Sequence, residues 1–303
     1  MDKPFMENQA RHVHLFLWHQ TLLPLRRLDQ PPSYELLRLQ SSSFRQTHRR
    51  RQVVQTSTLT LPATSGFAST FPPQTAMITP LTFPLSSISM AEALPGNTPE
   101  HRYPSQVKDG FDVLSFIENN TNFEGFPKLV NLNNCFIAGD SAGGNLAHHV
   151  AVKACESEFK NLKIIGVIAI QPFFGGQERT EAETRLVGAP FINVQGTDGL
   201  WRMFLPEGAD RDHPAANIFG PKSEDISGLK FPATIVIVGG FDPLQDWQKR
   251  YYEGLKKAGK EAYLIEYPNA FHAFYSVPEL EEASLFIDEV REFMKKECAK
   301  RFD

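Results

Sequence analysis

Cysteine is scarce in this sequence and long apolar runs are absent. The three cysteines, Cys135, Cys155 and Cys298, lie at wide and irregular spacing, which excludes a disulfide framework or a clustered zinc site. Two of them fall within apolar patterns and read as small buried hydrophobes in a reducing compartment. No apolar run approaches the roughly 20 residues of a membrane span. Positive charge is not in excess either. The formal net charge is −4, so there is no electrostatic reason to expect a nucleic-acid partner. The opening MDKPFMENQARHVHLFLWHQ holds a short apolar patch, but it carries Asp2 and Glu7 and lacks a basic n-region and a small-residue cleavage site. No signal peptide is read there, and a cytoplasmic location is expected.

Two further scarcities are local. Before Thr98 the only lysine is Lys3 and the only glycines are Gly66 and Gly96. From Ser41 to Met90 the chain is dominated by Ser, Thr, Pro and Gln, with prolines interrupting most candidate elements and no sustained period of 3.6 or 2.0. Arg49-Arg50-Arg51 is an isolated basic triplet and reads as a solvated loop. The Arg-rich, Ser-rich, acid-poor composition also suits an organelle transit peptide, for which about 95 residues is long. Residues 1–97 are therefore expected to be a divergent, low-complexity, poorly packed segment.

After Thr98 the text changes character. SQVKDGFDVLSFIENN (105–120) places Val107, Phe111, Leu114 and Phe116 or Ile117 on one helical face. Cys135-Phe136-Ile137-Ala138 is a short buried-strand run, and Leu146, Val150 and Cys155 then recur at helical spacing. KIIGVIAIQPFF (163–174) is β-rich, and ATIVIVGG (233–240) is another buried strand. DWQKRYYEGLKKAG follows as a helix with Asp246 as its expected N-cap and Gly259 as its stop. AYLIEY (262–267) is the next strand, and a last helix begins after Pro278. Strands separated by helices imply βαβ units, an α/β fold and a mostly parallel sheet, with function at the carboxyl ends of the strands.

Three polar residues stand just past three of those strands. Ser141 lies in Gly139-Asp140-Ser141-Ala142-Gly143, at a sharp strand-to-helix turn where small neighbours are needed. Asp242 follows Gly239-Gly240-Phe241, and His272 follows Pro268-Asn269-Ala270-Phe271. Each has an ordinary reading: a chance Gly-x-Ser-x-Gly loop, an Asp-Pro turn, a structural histidine. Their order, Ser then Asp then His, is that of an α/β-hydrolase triad, and three coincident placements outweigh the separate alternatives. Asp246 is a rival acid; Asp242 is preferred because it lies directly at the strand end.

GDSAGGN, GGFDPLQDWQKRYYEGLKKAGK, IEYPNAFHAFY and TPEHRYPSQVKDGFDVL resemble the plant carboxylesterases of the hormone-sensitive-lipase branch of the α/β-hydrolases, over roughly the last two-thirds of the chain. The resemblance implies an α/β-hydrolase domain over 98–303. Ser141 would be its nucleophile, His272 its base and Asp242 its acid, with Gly139, Asp140, Gly143 and Gly144 shaping the elbow. It implies a small-molecule ester as substrate, without metal or cofactor. An insertion at 181–214 is expected to roof a pocket to which Phe173, Trp201, Phe204 and Phe271 contribute. The same branch contains gibberellin receptors that have lost the catalytic histidine, so the presence of His272 favours an esterase over a ligand receptor or an inactive product.

One expected part is missing. The family's oxyanion hole uses the N–H after the nucleophile, here Ala142, together with a His-Gly-Gly loop after an early strand. This sequence has no His-Gly-Gly. The N-terminal strands of the sheet are accordingly expected to be degenerate or absent. Replacement of family-like text by foreign text with an abrupt boundary at Thr98 is the pattern a shifted or mis-spliced reading frame produces.

Overall fold

The computed structural model describes residues 102–119 and 131–300, together with the backbone of three short strands: β1 (His12–Val13), β2 (Gln55–Thr56) and β3 (Thr75–Ile78). Those strands apart, the segment 1–97 expected to be poorly packed lies outside the described residues, as does its boundary with the family-like region. Among the described residues β1 and β2 pair with each other and not with the larger sheet. From Ser105 the order is α1 (Ser105–Asn119), β4 (Asn131–Asp140), α2 (Ala142–Cys155), β5 (Ile164–Ile170), α3 (Glu181–Arg185), α4 (Val194–Phe204), β6 (Ala233–Phe241), α5 (Gln245–Lys257), β7 (Ala262–Phe271) and α6 (Glu281–Ala299).

β3 to β7 form one parallel sheet in sequential order. Parallel neighbours need long crossovers, which α2, α3 with α4, and α5 supply. Because side chains alternate across a strand, β4, β5 and β6 each serve two cores. Cys135, Ile137, Val167, Ala169, Val236 and Val238 face a layer that includes Leu114, Ile117, Leu146, Val150, Trp247 and Leu255 of α1, α2 and α5. Phe136, Ala138, Ile168, Ile235 and Ile237 face Phe286, Val290, Phe293 and Met294 of α6. Burial on both faces explains why these strands read as continuous apolar runs rather than alternating ones.

The structure corrects several local expectations. β5 stops at Ile170 rather than running on to Phe174, because Gln171 adopts φ 43° and Pro172 follows it. Phe116 points outward, and the buried face of α1 uses Val107, Val113, Leu114 and Ile117. Asp246 does not cap its own helix: Leu244 occupies that position without a side-chain cap. Gly259 does stop α5, at φ 73°, a conformation that suits a residue without a Cβ. On the N-terminal side β3 is a four-residue edge strand that joins β4 across a register shift, too short to leave a periodic signal. Among the described residues no helix is long and apolar enough to cross a membrane.

Candidate active site

The site is built at the carboxyl ends of β4, β6 and β7, with the end of β5 between them. Where β4 gives way to α2, Ser141 takes φ 51° and ψ −115°. A non-glycine residue in such a conformation costs about 1–3 kcal/mol and needs surroundings that enforce it. Those surroundings are visible. The Ser141 N–H donates to the Ile170 carbonyl at 2.9 Å, while the Ser141 carbonyl accepts from Phe173 N–H at 2.8 Å and Gly144 N–H at 3.0 Å. The turn closes so tightly that a Cβ on Gly139 would stand 2.1 Å from the Gly143 carbonyl oxygen, and one on Gly144 would stand 2.8 Å from Pro172 Cβ. Ala142 is the first residue of α2. Its N–H is one of the first-turn donors that have no intrahelical acceptor, at the positive end of the helix dipole.

His272 Nε2 lies 3.0 Å from Ser141 Oγ, and His272 Nδ1 lies 2.8 Å from Asp242 Oδ2. With the Nδ1 proton donated to Asp242, Nε2 is left to accept the serine proton. Asp242 is fully buried. Besides His272, its Oδ2 accepts from Gln171 Nε2 at 3.1 Å and Gln248 Nε2 at 2.9 Å, and its Oδ1 accepts from Leu244 N–H at 2.9 Å. All four contacts are donors, a set that suits a carboxylate because it only accepts. Burial of His272 pulls its pKa down, but the Asp242 charge and hydrogen bond, with the Asp140 charge behind them, outweigh that and hold it above the ordinary imidazole value. Asp140 itself accepts from Tyr275 Oη at 2.6 Å.

The rival acid is engaged elsewhere. Asp246 Oδ2 accepts from Ala182 N–H at 2.8 Å at the start of α3. Nearby, Trp247 Nε1 donates to Glu183 Oε2 at 3.1 Å. The four aromatics expected to contribute to a pocket divide into two groups. Phe173 stacks on Trp201 at 4.2 Å, and Trp201 meets Phe204 edge-on at 5.8 Å, within a buried cluster that includes Leu205 and Leu244. Phe271 lies apart from them, with its ring 5.7 Å from Phe191, which is 75% exposed. A separate cleft of about 650 Å³ runs along α5 and is lined by Phe174, Asp212, Asn217, Trp247, Arg250 and Tyr251. Among the described residues no cluster of His, Cys, Asp and Glu is arranged to hold a metal ion.

Sequence reasoning missed Gln171, Gln248 and Tyr275. Gln171 left a trace as the polar interruption before Pro172 in an apolar run. Gln248 left another, as a polar residue on the buried face of α5. Tyr275 carried no signal beyond its nearness to His272.

A family model described as an α/β hydrolase fold matches residues 97–276. The gibberellin receptor GID1C of Arabidopsis thaliana is 44% identical over 200 residues, covering 66% of this chain and 57% of the receptor. Carboxylesterase 20 of the same plant is 37% identical over 170 residues, covering 54% of this chain and 51% of that enzyme. The chain thus spans a little over half the length of these relatives. Among solved structures, an esterase of Pyrobaculum calidifontis superposes with a TM-score of 0.56 at 27% identity, over 65% of this chain and 62% of that one.

Proposed function

The chain belongs to the α/β-hydrolase fold family, in the branch that holds plant carboxylesterases and gibberellin receptors, and from that premise we propose that it hydrolyses carboxylic esters through an acyl-enzyme. The observation that carries the reading is the hydrogen-bonded line from Ser141 Oγ to His272 Nε2 and from His272 Nδ1 to Asp242 Oδ2. A serine hydroxyl is a weak nucleophile until a base takes its proton. His272 takes it as Oγ attacks the ester carbonyl, and Asp242 holds the ring in the useful tautomer and stabilises the imidazolium. The tetrahedral oxyanion receives the Ala142 N–H. His272 then returns the proton to the departing alcohol, and water repeats the sequence on the acyl-serine. The pocket is assigned to Phe173, Trp201, Phe204 and Phe271, with the insertion at 181–214 as its roof.

Ligand binding without turnover is the second reading. It is favoured by the higher identity to the gibberellin receptor than to the carboxylesterase, 44% against 37%. Hydrolysis of short-chain p-nitrophenyl esters by the wild type and Ser141→Ala separates the two. Turnover abolished by the substitution supports the enzyme. A wild-type rate equal to buffer removes it. Saturable small-ligand binding indifferent to Ser141→Ala then supports the receptor reading, and a chain with neither binding nor cooperative thermal unfolding is an inactive product.

A further inference from the structure

The end of β5 touches Ser141, Asp242 and the two residues that flank His272. The Ile170 carbonyl accepts from Ser141 N–H, and Phe173 N–H donates to the Ser141 carbonyl, so two bonds clamp the serine's own peptide groups. Between them stands Gln171, fully buried, with its backbone N–H bound to the Ile237 carbonyl of β6 at 2.9 Å. Its side chain reaches in two directions. Nε2 donates to Asp242 Oδ2 at 3.1 Å and to the Phe271 carbonyl at 3.1 Å, and Oε1 accepts from Ala273 N–H at 2.7 Å. Phe271 and Ala273 are the residues on either side of His272. One amide therefore grips the chain before the histidine, the chain after it, and the carboxylate that orients it.

Two observations indicate that the fold makes room for this contact. Gln171 holds φ 43°, a conformation adverse to a residue with a Cβ. Gly239 on β6 lacks a side chain where the amide passes: a Cβ there would stand 2.7 Å from Gln171 Nε2 and 2.6 Å from the Ala270 carbonyl oxygen. Simple core filling would not call for a primary amide. An apolar side chain of the same length would leave the Ala273 N–H and the Phe271 carbonyl without these partners, and buried polar groups need partners.

Building on the esterase reading, we infer that Gln171 is a positioning residue, the brace that sets His272 and Asp242 in register with Ser141. It touches no substrate and acts through the ring it holds. An acid–base relay is sensitive to such placement, since a displacement of about 1 Å costs on the order of 10²-fold in rate.

The test compares wild type with Gln171→Met, which removes all three side-chain bonds, and with Gln171→Glu, which keeps shape and the Ala273 acceptor but removes the Nε2 donors. Active sites are counted with a fluorophosphonate, so that only folded, reactive molecules enter kcat. The His272 Nδ1 proton is followed by NMR as a low-field resonance. Both variants are expected to lose about 10²-fold in kcat per titrated site with KM little changed, and to weaken the resonance or move it upfield. In Gln171→Glu an added carboxylate beside Asp242 should also move the acid limb of kcat/KM to higher pH. The charged groups already facing His272 are Asp242 and Asp140, the latter bonded to Tyr275. Wild-type kcat per site and an unaltered resonance in both variants would overturn the inference. If the wild type itself has no Ser141-dependent turnover, the esterase reading fails while the resonance comparison still decides the role of Gln171.

Discussion

Gly139 and Gly143 approach so closely at the serine turn that a Cβ on the first would stand 2.1 Å from the carbonyl oxygen of the second. That oxygen belongs to backbone in the first turn of α2 and cannot swing aside as a side-chain tip could. The clash must be relieved by moving the strand end or the helix. Gly139→Ala is therefore expected to destabilise the fold by about 3 kcal/mol, the upper part of the usual range for overpacking. Denaturant unfolding monitored by circular dichroism checks it. An unchanged midpoint would mean that the turn is looser than this contact requires.

The two neighbouring acids should separate cleanly on substitution. In Asp242→Asn one amide nitrogen must face donors, because Leu244 N–H, Gln171 Nε2, Gln248 Nε2 and His272 Nδ1 all point at the carboxylate. The variant is expected to lose about 10⁴-fold in kcat through the wrong imidazole tautomer, and to lose stability as well, since a buried donor is left facing donors. Asp246→Ala removes only the acceptor for Ala182 N–H. It should keep kcat and lose about 1 kcal/mol. Parallel kinetics and melts distinguish them, and equal kcat losses would return Asp246 to candidacy as the acid.

The acid limb of ester hydrolysis should lie above the ordinary histidine range. Burial disfavours the His272 imidazolium, but the charges of Asp242 and Asp140 and the Asp242 hydrogen bond outweigh it, so the folded pKa is raised. The base works only when neutral. The rate should therefore fall as pH drops through a value higher than about 6.5. A kcat/KM profile with its acid midpoint below that value would contradict the geometry.

Stability should show the opposite histidine behaviour. Burial holds His148 well below its ordinary value and brings His149 down to about 4, helped in each case by a neighbouring histidine and opposed at His149 by its bond to the Ala215 carbonyl. In the unfolded chain both would take up protons near pH 6.5. The folded state binds fewer protons, so stability is full above that pH and is lost progressively as pH falls towards 4. His272, whose pKa is raised, works against this trend, but burial also lowers His213, so it is one group against three. Melting temperatures at pH 7, 5 and 4 should decline, and His149→Gln should flatten the decline. A flat profile in the wild type would remove the argument.

What was legible in the sequence follows from how local each signal is. β4 to β6 could be read because burial on both faces writes a run of apolar residues into the text, and β7 because its short AYLIEY stretch sits between Gly259 and Pro268. The convergence of Ser141, Asp242 and His272 could be expected because each stands just past a strand. Gln171 could not be assigned, because its partners Asp242, Phe271 and Ala273 are 71 to 102 residues away, and no spacing along the chain encodes their convergence. Asp246 was misplaced for the same reason. An aspartate at a helix start is a cap in local terms, and only the fold brings α3 to it. β3 was missed because four residues carry too short a period to count.

The last prediction concerns the start of the chain. The family match begins at residue 97, beside the place where lysine and glycine usage changes, at Thr98. Two independent signals thus fall at one boundary. If residues 1–97 come from a shifted or mis-spliced frame, the encoding transcript read in the other two frames, or across the alternative junction, should yield buried-strand patterns and a His-Gly-Gly. Finding neither would sink the idea. The chemical consequence can be tested on the protein. As written, the sequence supplies Ala142 N–H but no His-Gly-Gly donors, and each missing oxyanion donor costs about 10²–10³-fold in turnover. A chimera carrying the restored segment ahead of Thr98 should therefore exceed the present chain in kcat by at least about 10²-fold, with Ser141→Ala abolishing the gain. Equal rates in the two would mean that other residues of this chain already complete the oxyanion site.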